Sequence, residues 1–439
     1  MADSAENVSD KPGWPVIRET ITDRNFLLFS FSMTLSTCAH LMVAIALSWM
    51  TWQLTKSGAW LGYVSGATII PALIFGPFGG LLADRIGHLQ AIRISQTSYI
   101  ISLTGLGLAL ITQTVTIEIL FTCAIVHGFI GAIFIPTEFA FLRTLANNRR
   151  LIATITIFET FKGVGKLFGP ILAAYLMTSA REYVVIGAIG AHALCLMGLS
   201  RINFSKAYAN SNRNTAHSHS PMLNIWNLVK HLWETPLCTL LLILFVATGF
   251  QLQGSLALYT DRTGGGPNLL TNFANIISVL TLLVVLPITL WIASRGHFDS
   301  ISKYMRKLFL ILCISIPITA ILINLPGSHG NWFIAILALY LVAAQILSTL
   351  VQASFLVLLP QAALASGVGI IVLVQGVALF IIGAGAYAFT EFRPQSGWAM
   401  ATTILLIATL WVIGKWSRSR MHLIDSALAE ASRIESENR

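Results

Sequence analysis

The sequence predicts an all-α membrane protein of twelve transmembrane helices in two pseudo-symmetric six-helix bundles. Three observations carry that expectation. First, 55% of the 439 residues are hydrophobic and only 10% are charged, with a mean hydropathy of +0.76. A soluble globular domain carries about 25% charged residues, so a water-soluble enzyme is excluded. Second, the apolar residues fall in long runs separated by short polar ones, each run near the roughly 20 residues that one bilayer crossing needs. Third, the cations are sorted along the chain in the manner of membrane loops, as set out below.

Taken in order, residues 1–25 form a polar N-terminal tail, and the first apolar run is too long for a cleavable signal peptide. Spans follow at 26–52, 59–83, 91–113, 117–142, 151–178 and 184–202, making a first bundle over 26–202. Residues 203–235 are a connector whose first half is polar and Ser/Asn-rich. Its second half places Leu223, Trp226, Val229 and Trp233 at helical spacing, which fits either a helix lying on the membrane or the start of the seventh span. The second set lies at 236–258, 269–293, 308–326, 332–360, 366–390 and 397–415, a bundle over 236–415, before a tail at 416–439.

The net charge of +9 invites a nucleic-acid partner. Topology accounts for it instead. With a cytoplasmic N-terminus, all 27 Lys and Arg fall in cytoplasmic segments except Lys56, Arg181, Arg262 and Arg393 in outer loops and Lys162 and Lys166 within a span. Such asymmetry predicts both termini inside. Trp49, Trp52 and Trp60 sit at the outer ends of spans one and two, where aromatic belts form. Cys38, Cys123, Cys195, Cys238 and Cys313 lie in or beside apolar runs without metal spacing, so neither a disulfide framework nor a zinc site is expected. The short tract His217-Ser218-His219 reads as linker rather than metal site. No P-loop is present, and no cofactor is expected.

The segment Gly80-Leu81-Leu82-Ala83-Asp84-Arg85-Ile86-Gly87, followed by Arg93, resembles the signature loop of the major facilitator superfamily, G-x-L-A-D-R-x-G-R-[RK]. Gly80 permits close helix contact, Gly87 permits the turn, and Asp84 has three candidate partners: Arg85, Arg93 or the N-terminus of a neighbouring helix. The resemblance implies a conformational latch on the cytoplasmic side. The chain departs from the pattern at His88-Leu89-Gln90, where the family usually has basic residues.

The halves echo each other as a parallel duplication would. Residues 82–88 are matched by Ile292-Ala293-Ser294-Arg295-Gly296-His297, and a constant offset pairs Phe139 with Phe355, Glu159 with Gln375 and Gly169 with Gly385. Transporters built this way hold their site near the membrane midplane between the halves.

Span five carries Gly165-Lys166-Leu167-Phe168-Gly169-Pro170 and then Ala173. Gly165, Gly169 and Ala173 form one small-residue face for tight packing, and Pro170 removes a backbone donor. The stretch resembles the G-x-x-x-G-P motif of the superfamily's antiporters, which implies export; a packing role alone accounts for it equally.

The same span holds Glu159, Lys162 and Lys166 on one face. A charge in the bilayer core costs at least ~2.5 kcal/mol unless it meets a partner or a cavity, so these side chains are expected to line the interior. Glu159 and Lys162 are expected to pair, and Lys166 to bind an anionic substrate group or a carboxylate on another helix. A static salt bridge is the alternative. Glu138, after Pro136, is expected to pair with Arg143, Arg149 or Arg150 as a structural or gating pair, with a proton site as the second possibility. His40, mid-span in helix one, is the residue type whose ordinary range reaches physiological pH, and it is expected to serve either coupling or a hydrogen bond to a neighbouring helix. His127 and His192 are weaker candidates.

Residues 26–178 resemble the superfamily's bacterial exporters of siderophores and macrolide-type drugs, through Ala46-Leu47-Ser48-Trp49, Gln53-Leu54-Thr55, Ser57, Pro71-Ala72-Leu73 and Gly76-Pro77. That branch commonly has an acid near the position of His40, so here His40 or Glu159 would carry the proton. Pro136-Thr137-Glu138-Phe139-Ala140-Phe141-Leu142 and Glu159 are instead similar to lysophospholipid transporters. The expected function is proton-driven export, by antiport, of a small amphipathic or anionic molecule by a monomer in a bacterial inner membrane. A lysophospholipid transporter and a non-transporting receptor or scaffold are the alternatives, and nucleic acid is not an expected partner. Scattered histidines without catalytic spacing argue against a membrane-embedded enzyme.

Overall fold

The computed structural model describes residues 14–146, 151–179 and 181–202, and beyond them chiefly 330–359 and 364–374, with short pieces between 230 and 311 and at 376–377. A short helix α1 (Trp14–Thr22) leads into α2 (Arg24–Thr55), α3 (Gly58–Ile86), α4 (His88–Ile111), α5 (Ile117–Leu145), α6 (Leu151–Ser179) and α7 (Arg181–Ser200). A π-helical turn lies at Thr281–Val285, followed by α8 (Gly330–Leu358) and α9 (Leu364–Val374). Among the described residues there is no strand.

Local chemistry sets the helix ends. Asp23 caps α2, its carboxylate accepting from the backbone N–H of Asn25 at 2.8 Å and Phe26 at 3.1 Å, the normal use of an acid where helix donors lack partners. Lys56 closes that helix in the left-handed conformation at φ 49°. Gly87 joins α3 to α4 at φ +96°, a conformation that side chains resist, and this is what the glycine of the signature loop is for. Pro71, Pro77, Pro136 and Pro170 all sit inside helices.

Five of these helices, α2 to α5 and α7, are long and apolar enough to cross a membrane. Helix α6 has 29 residues, as α3 and α5 do, but carries Glu159, Lys162 and Lys166 along its middle. α2 packs on α6 and α7, α4 on α5 and α7, and α3 on α5. Small residues set the spacing. A methyl added at Gly165 would collide with the Thr34 carbonyl, and one at Gly169 would stand 2.8 Å from the Cys38 carbonyl. Helices α6 and α2 therefore touch backbone to backbone, as expected of a small-residue face.

Apolar packing forms two centres. One lies at the α3–α4 loop end, where Phe29 stacks on Phe158 at 5.4 Å and meets Phe141 edge-on at 4.8 Å, continuing into Leu347, Leu350 and Phe355 of α8. The other, toward the opposite end, gathers Met42, Met50, Leu103, Leu106 and Val184. At the loop end the two halves touch: Gly76 and Gly80 of α3 lie against the backbone of Gly369 and Ala365 in α9, and Arg143 Nε donates to the Leu356 carbonyl of α8 at 3.1 Å.

Candidate functional site

The central feature is a line of four alternating charges on α5 and α6. Lys162 Nζ donates to Glu138 Oε2 at 2.8 Å and stands 3.8 Å from Glu159 Oε1, while Lys166 Nζ reaches Glu159 Oε2 at 3.3 Å. The helix supplies the spacing: Glu159, Lys162 and Lys166 share one face of α6, and α5 brings Glu138 against it. Side-chain exposure is 4% for Glu138, 12% for Glu159, 14% for Lys162 and 35% for Lys166, so the line runs from a sealed end to an open one. Lys162 also lies over the rings of Phe139 and Phe158, at 5.3 and 5.4 Å, where the ring faces attract a cation.

Two expectations need correction. Glu138 pairs with Lys162, not Arg143, which is turned toward the Leu356 and Ala146 carbonyls. Arg149 and Arg150 lie outside the described residues. The reason is geometric: Arg143 lies more than a turn from Glu138, toward the helix end and its free carbonyls, whereas Lys162 lies across the helix interface. The carboxylate that Lys166 contacts is on its own helix rather than another one. The expected Glu159–Lys162 contact exists, but it is the loosest of the three. Gln375 lies outside the residues whose side chains are described, as do the connector's 223–229, Trp233 and His217-Ser218-His219.

A second constellation joins α2, α4, α5 and α7. The ring of Tyr99 on α4 meets His40 of α2 edge-on at 4.4 Å, His127 of α5 at 5.1 Å and His192 of α7, stacked, at 5.2 Å. Gln96 ties it together, its amide donating to Ser36 Oγ at 2.8 Å and its oxygen accepting from His192 Nδ1 at 2.7 Å. His127 Nδ1 donates to the Cys123 carbonyl at 2.9 Å. These bonds place the ring proton on Nδ1 in both histidines, and each Nε2 is buried without a hydrogen-bond partner among the described residues. Sequence reading treats His40, His127 and His192 as separate; Tyr99 and Gln96 carry no signal beyond being polar in an apolar helix.

The third constellation is the loop end of α3. Asp84 is 7% exposed. Its carboxylate accepts from the backbone N–H of Ala365 and of Ser366, each at 3.0 Å, and from the Ser366 hydroxyl. Of its three candidate partners, the N-terminus of a neighbouring helix, α9, is the one it takes, where exposed donors and the helix dipole favour an anion. Arg93 instead donates to the Leu199 carbonyl at 2.6 Å, and Arg85 is exposed. His88, where the signature pattern departs, is buried and lies 3.0 Å from Asp84 Oδ1, so the latch has a histidine beside the acid in place of exposed basic residues.

Comparison with known proteins identifies the family and the fold. The family profile described as Major Facilitator Superfamily matches residues 26–384. An uncharacterised MFS-type transporter of Bacillus subtilis, YuxJ, is 25% identical over 219 residues, 48% of this chain and 52% of the relative. A second from the same organism, YfiS, is 24% identical over 258 residues, 57% of this chain and 59% of the relative. The chain thus spans little more than half the length of these curated relatives. Among solved structures, the proton:xylose symporter XylE has a TM-score of 0.65 at 14% identity, covering 90% of this chain and 96% of its own. A bacterial homologue of the iron transporter ferroportin, in an outward-facing state, has a TM-score of 0.65 at 11% identity, covering 94% and 100%. The human organic anion transporter MFSD10 has a TM-score of 0.62 at 12% identity, covering 88% and 99%. At these identities the likeness is one of fold.

Proposed function

The chain belongs to the major facilitator superfamily, and from that premise we propose that it moves a small anionic or amphipathic molecule across a bacterial inner membrane, coupled to protons, by alternating access. It is a transporter and not an enzyme, built as twelve helices in two bundles. In this reading the bundles at 26–202 and 236–415 rock about the site as a monomer, with both termini cytoplasmic and export as the direction supported by the α6 motif.

The observation that carries the substrate class is the open end of the charged line. Lys166 is the most exposed of its four members and is held by a single contact at 3.3 Å, so an anionic group displaces little to reach it. The aromatic rings around Lys162 give the same place an apolar wall. Asp84 on α9 holds the halves together at the α3–α4 loop end, which the cation distribution assigns to the cytoplasm. In this orientation the structure is closed on the cytoplasmic side.

Glu138 and Phe139, from the stretch similar to lysophospholipid transporters, both lie in the network. This favours a lysophospholipid as the second reading, and siderophores or drugs remain the first. The experiment is flux in proteoliposomes with an imposed pH gradient across panels of siderophores, macrolides and lysophospholipids. Lys166→Met should lower flux about 10- to 100-fold, the worth of a charged hydrogen bond. Unchanged flux at normal expression sinks the assignment of Lys166, and no gradient-dependent flux for any panel points to the receptor or scaffold alternative.

A further inference from the structure

The order of charges in the line is Glu138, Lys162, Glu159, Lys166. Each inner member has two partners and each outer member one. Two carboxylates face two ammoniums, so the line is neutral as it stands. The cations acting on the two carboxylates, among the described residues, are Lys162 and Lys166. Tyr99 of α4 and Cys195 of α7 are within electrostatic reach of Glu138, and His40 of α2 is within reach of Lys162; none of them adds a fixed cation.

Neutrality makes the outer lysine a control point. If an anion draws Lys166 away from Glu159, Lys162 is left as the one cation for two carboxylates, both buried in the span. Two like charges sharing one partner in a low-dielectric site do not both stay ionised. One proton, taken from water at the exposed Lys166 end and bonded to a carboxylate oxygen of the pair, restores a neutral line.

We propose that Glu138 and Glu159 form a proton-binding carboxylate pair controlled by Lys166, so that an anion and a proton bind together rather than in competition. The pair belongs to the two helices jointly, and neither acid alone owns the proton. The consequence for direction rests on the transport reading above: linkage is reciprocal, so the proton travels with the anion. An inward proton gradient then drives uptake, so the pair argues against both the antiport and the export that the α6 motif supports, which require the opposite sign.

The test needs no known substrate, because Lys166→Met removes the same contact that an anion would. Infrared spectra of the full-length protein in lipid nanodiscs at neutral pH read protonated carboxyl groups directly through their carbonyl stretch. Relative to wild type, Lys166→Met and Lys166→Gln should each gain one protonated carboxyl per chain, and Lys166→Arg should gain none. Adding Glu138→Gln or Glu159→Gln to Lys166→Met should abolish the gain, since one acid with one lysine is again neutral. Absence of the gain in both neutral variants, or its persistence in both double variants, overturns the proposal. Proteoliposome flux of the wild type separates the two readings: flux without the infrared gain leaves transport standing and removes the proton pair. The gain without flux does the reverse.

Discussion

The charged line on α5 and α6 and the histidine cluster around Tyr99 bury polar side chains in one bundle by opposite means. The line keeps full charges and cancels them, donor against acceptor, within 2.8 to 3.8 Å. The cluster relies on hydrogen bonds and ring packing: His127 and His192 are each held through Nδ1 and packed on an aromatic ring. The line opens at one end through Lys166, whereas in the cluster His192 is fully buried and His40 and His127 are half-buried. Charges compensated in a row can be re-paired when an ion arrives at the open end, but neutral rings locked by packing have no such second arrangement. In the proposed reading the line is the part that serves transport, and the cluster holds four helices in register.

The sharpest way to break the contrast is Lys162→Met, which removes the shared cation and leaves buried Glu138 without its partner while Glu159 keeps Lys166. Breaking a buried pair costs about 3–5 kcal/mol, so the variant should lose folded protein on mild heating, read by size-exclusion chromatography. A variant as heat-stable as wild type would mean that the line contributes no stability. Next in size is Gly165→Leu, which forces α6 away from the Thr34 carbonyl of α2. Overpacking of this kind costs about 1–3 kcal/mol, and because α2 carries His40 while α6 carries the line, both regions should loosen together in hydrogen exchange. Loosening confined to α6 would show them to be mechanically separate.

Gln96→Leu cuts the bridge from Ser36 to His192 and leaves a buried N–H without an acceptor, at about 1–3 kcal/mol. Its effect should be on stability alone, with the flux of surviving protein unchanged; a selective loss of flux would place the cluster in the transport path. The smallest stability effect belongs to Lys166→Met. Its partly exposed pair is worth about 1 kcal/mol or less, so thermal stability should hardly move while flux falls. A large stability loss there would make the line a static brace.

The helices were legible from hydropathy because each run had to be long and apolar, and the loop-end glycine because only that residue relaxes at φ +96°. Glu159, Lys162 and Lys166 were legible as a set because helical spacing alone puts them on one face. Glu138 was visible as an intramembrane acid, but its partner was not: Lys162 is on another helix, and no local spacing links the two. Proximity along α5 suggested Arg143, which had carbonyls to satisfy at the helix end and beyond it. Asp84 shows the same limit: Arg85 and Arg93 were near in sequence, yet the partner it took lies on α9, far along the chain.

By itself the sequence determined that the chain is a membrane helix bundle and which few ionisable groups lie within it, because the bilayer punishes every uncompensated charge and unpaired backbone group wherever the helices sit. Tertiary structure alone decided the pairings: Glu138 with Lys162, Asp84 with the α9 N-terminus, and His192 with Gln96. Each depends on which helix faces meet, and that is settled by small-residue contacts such as Gly165 on α2, acting over distances in the chain that no periodicity encodes.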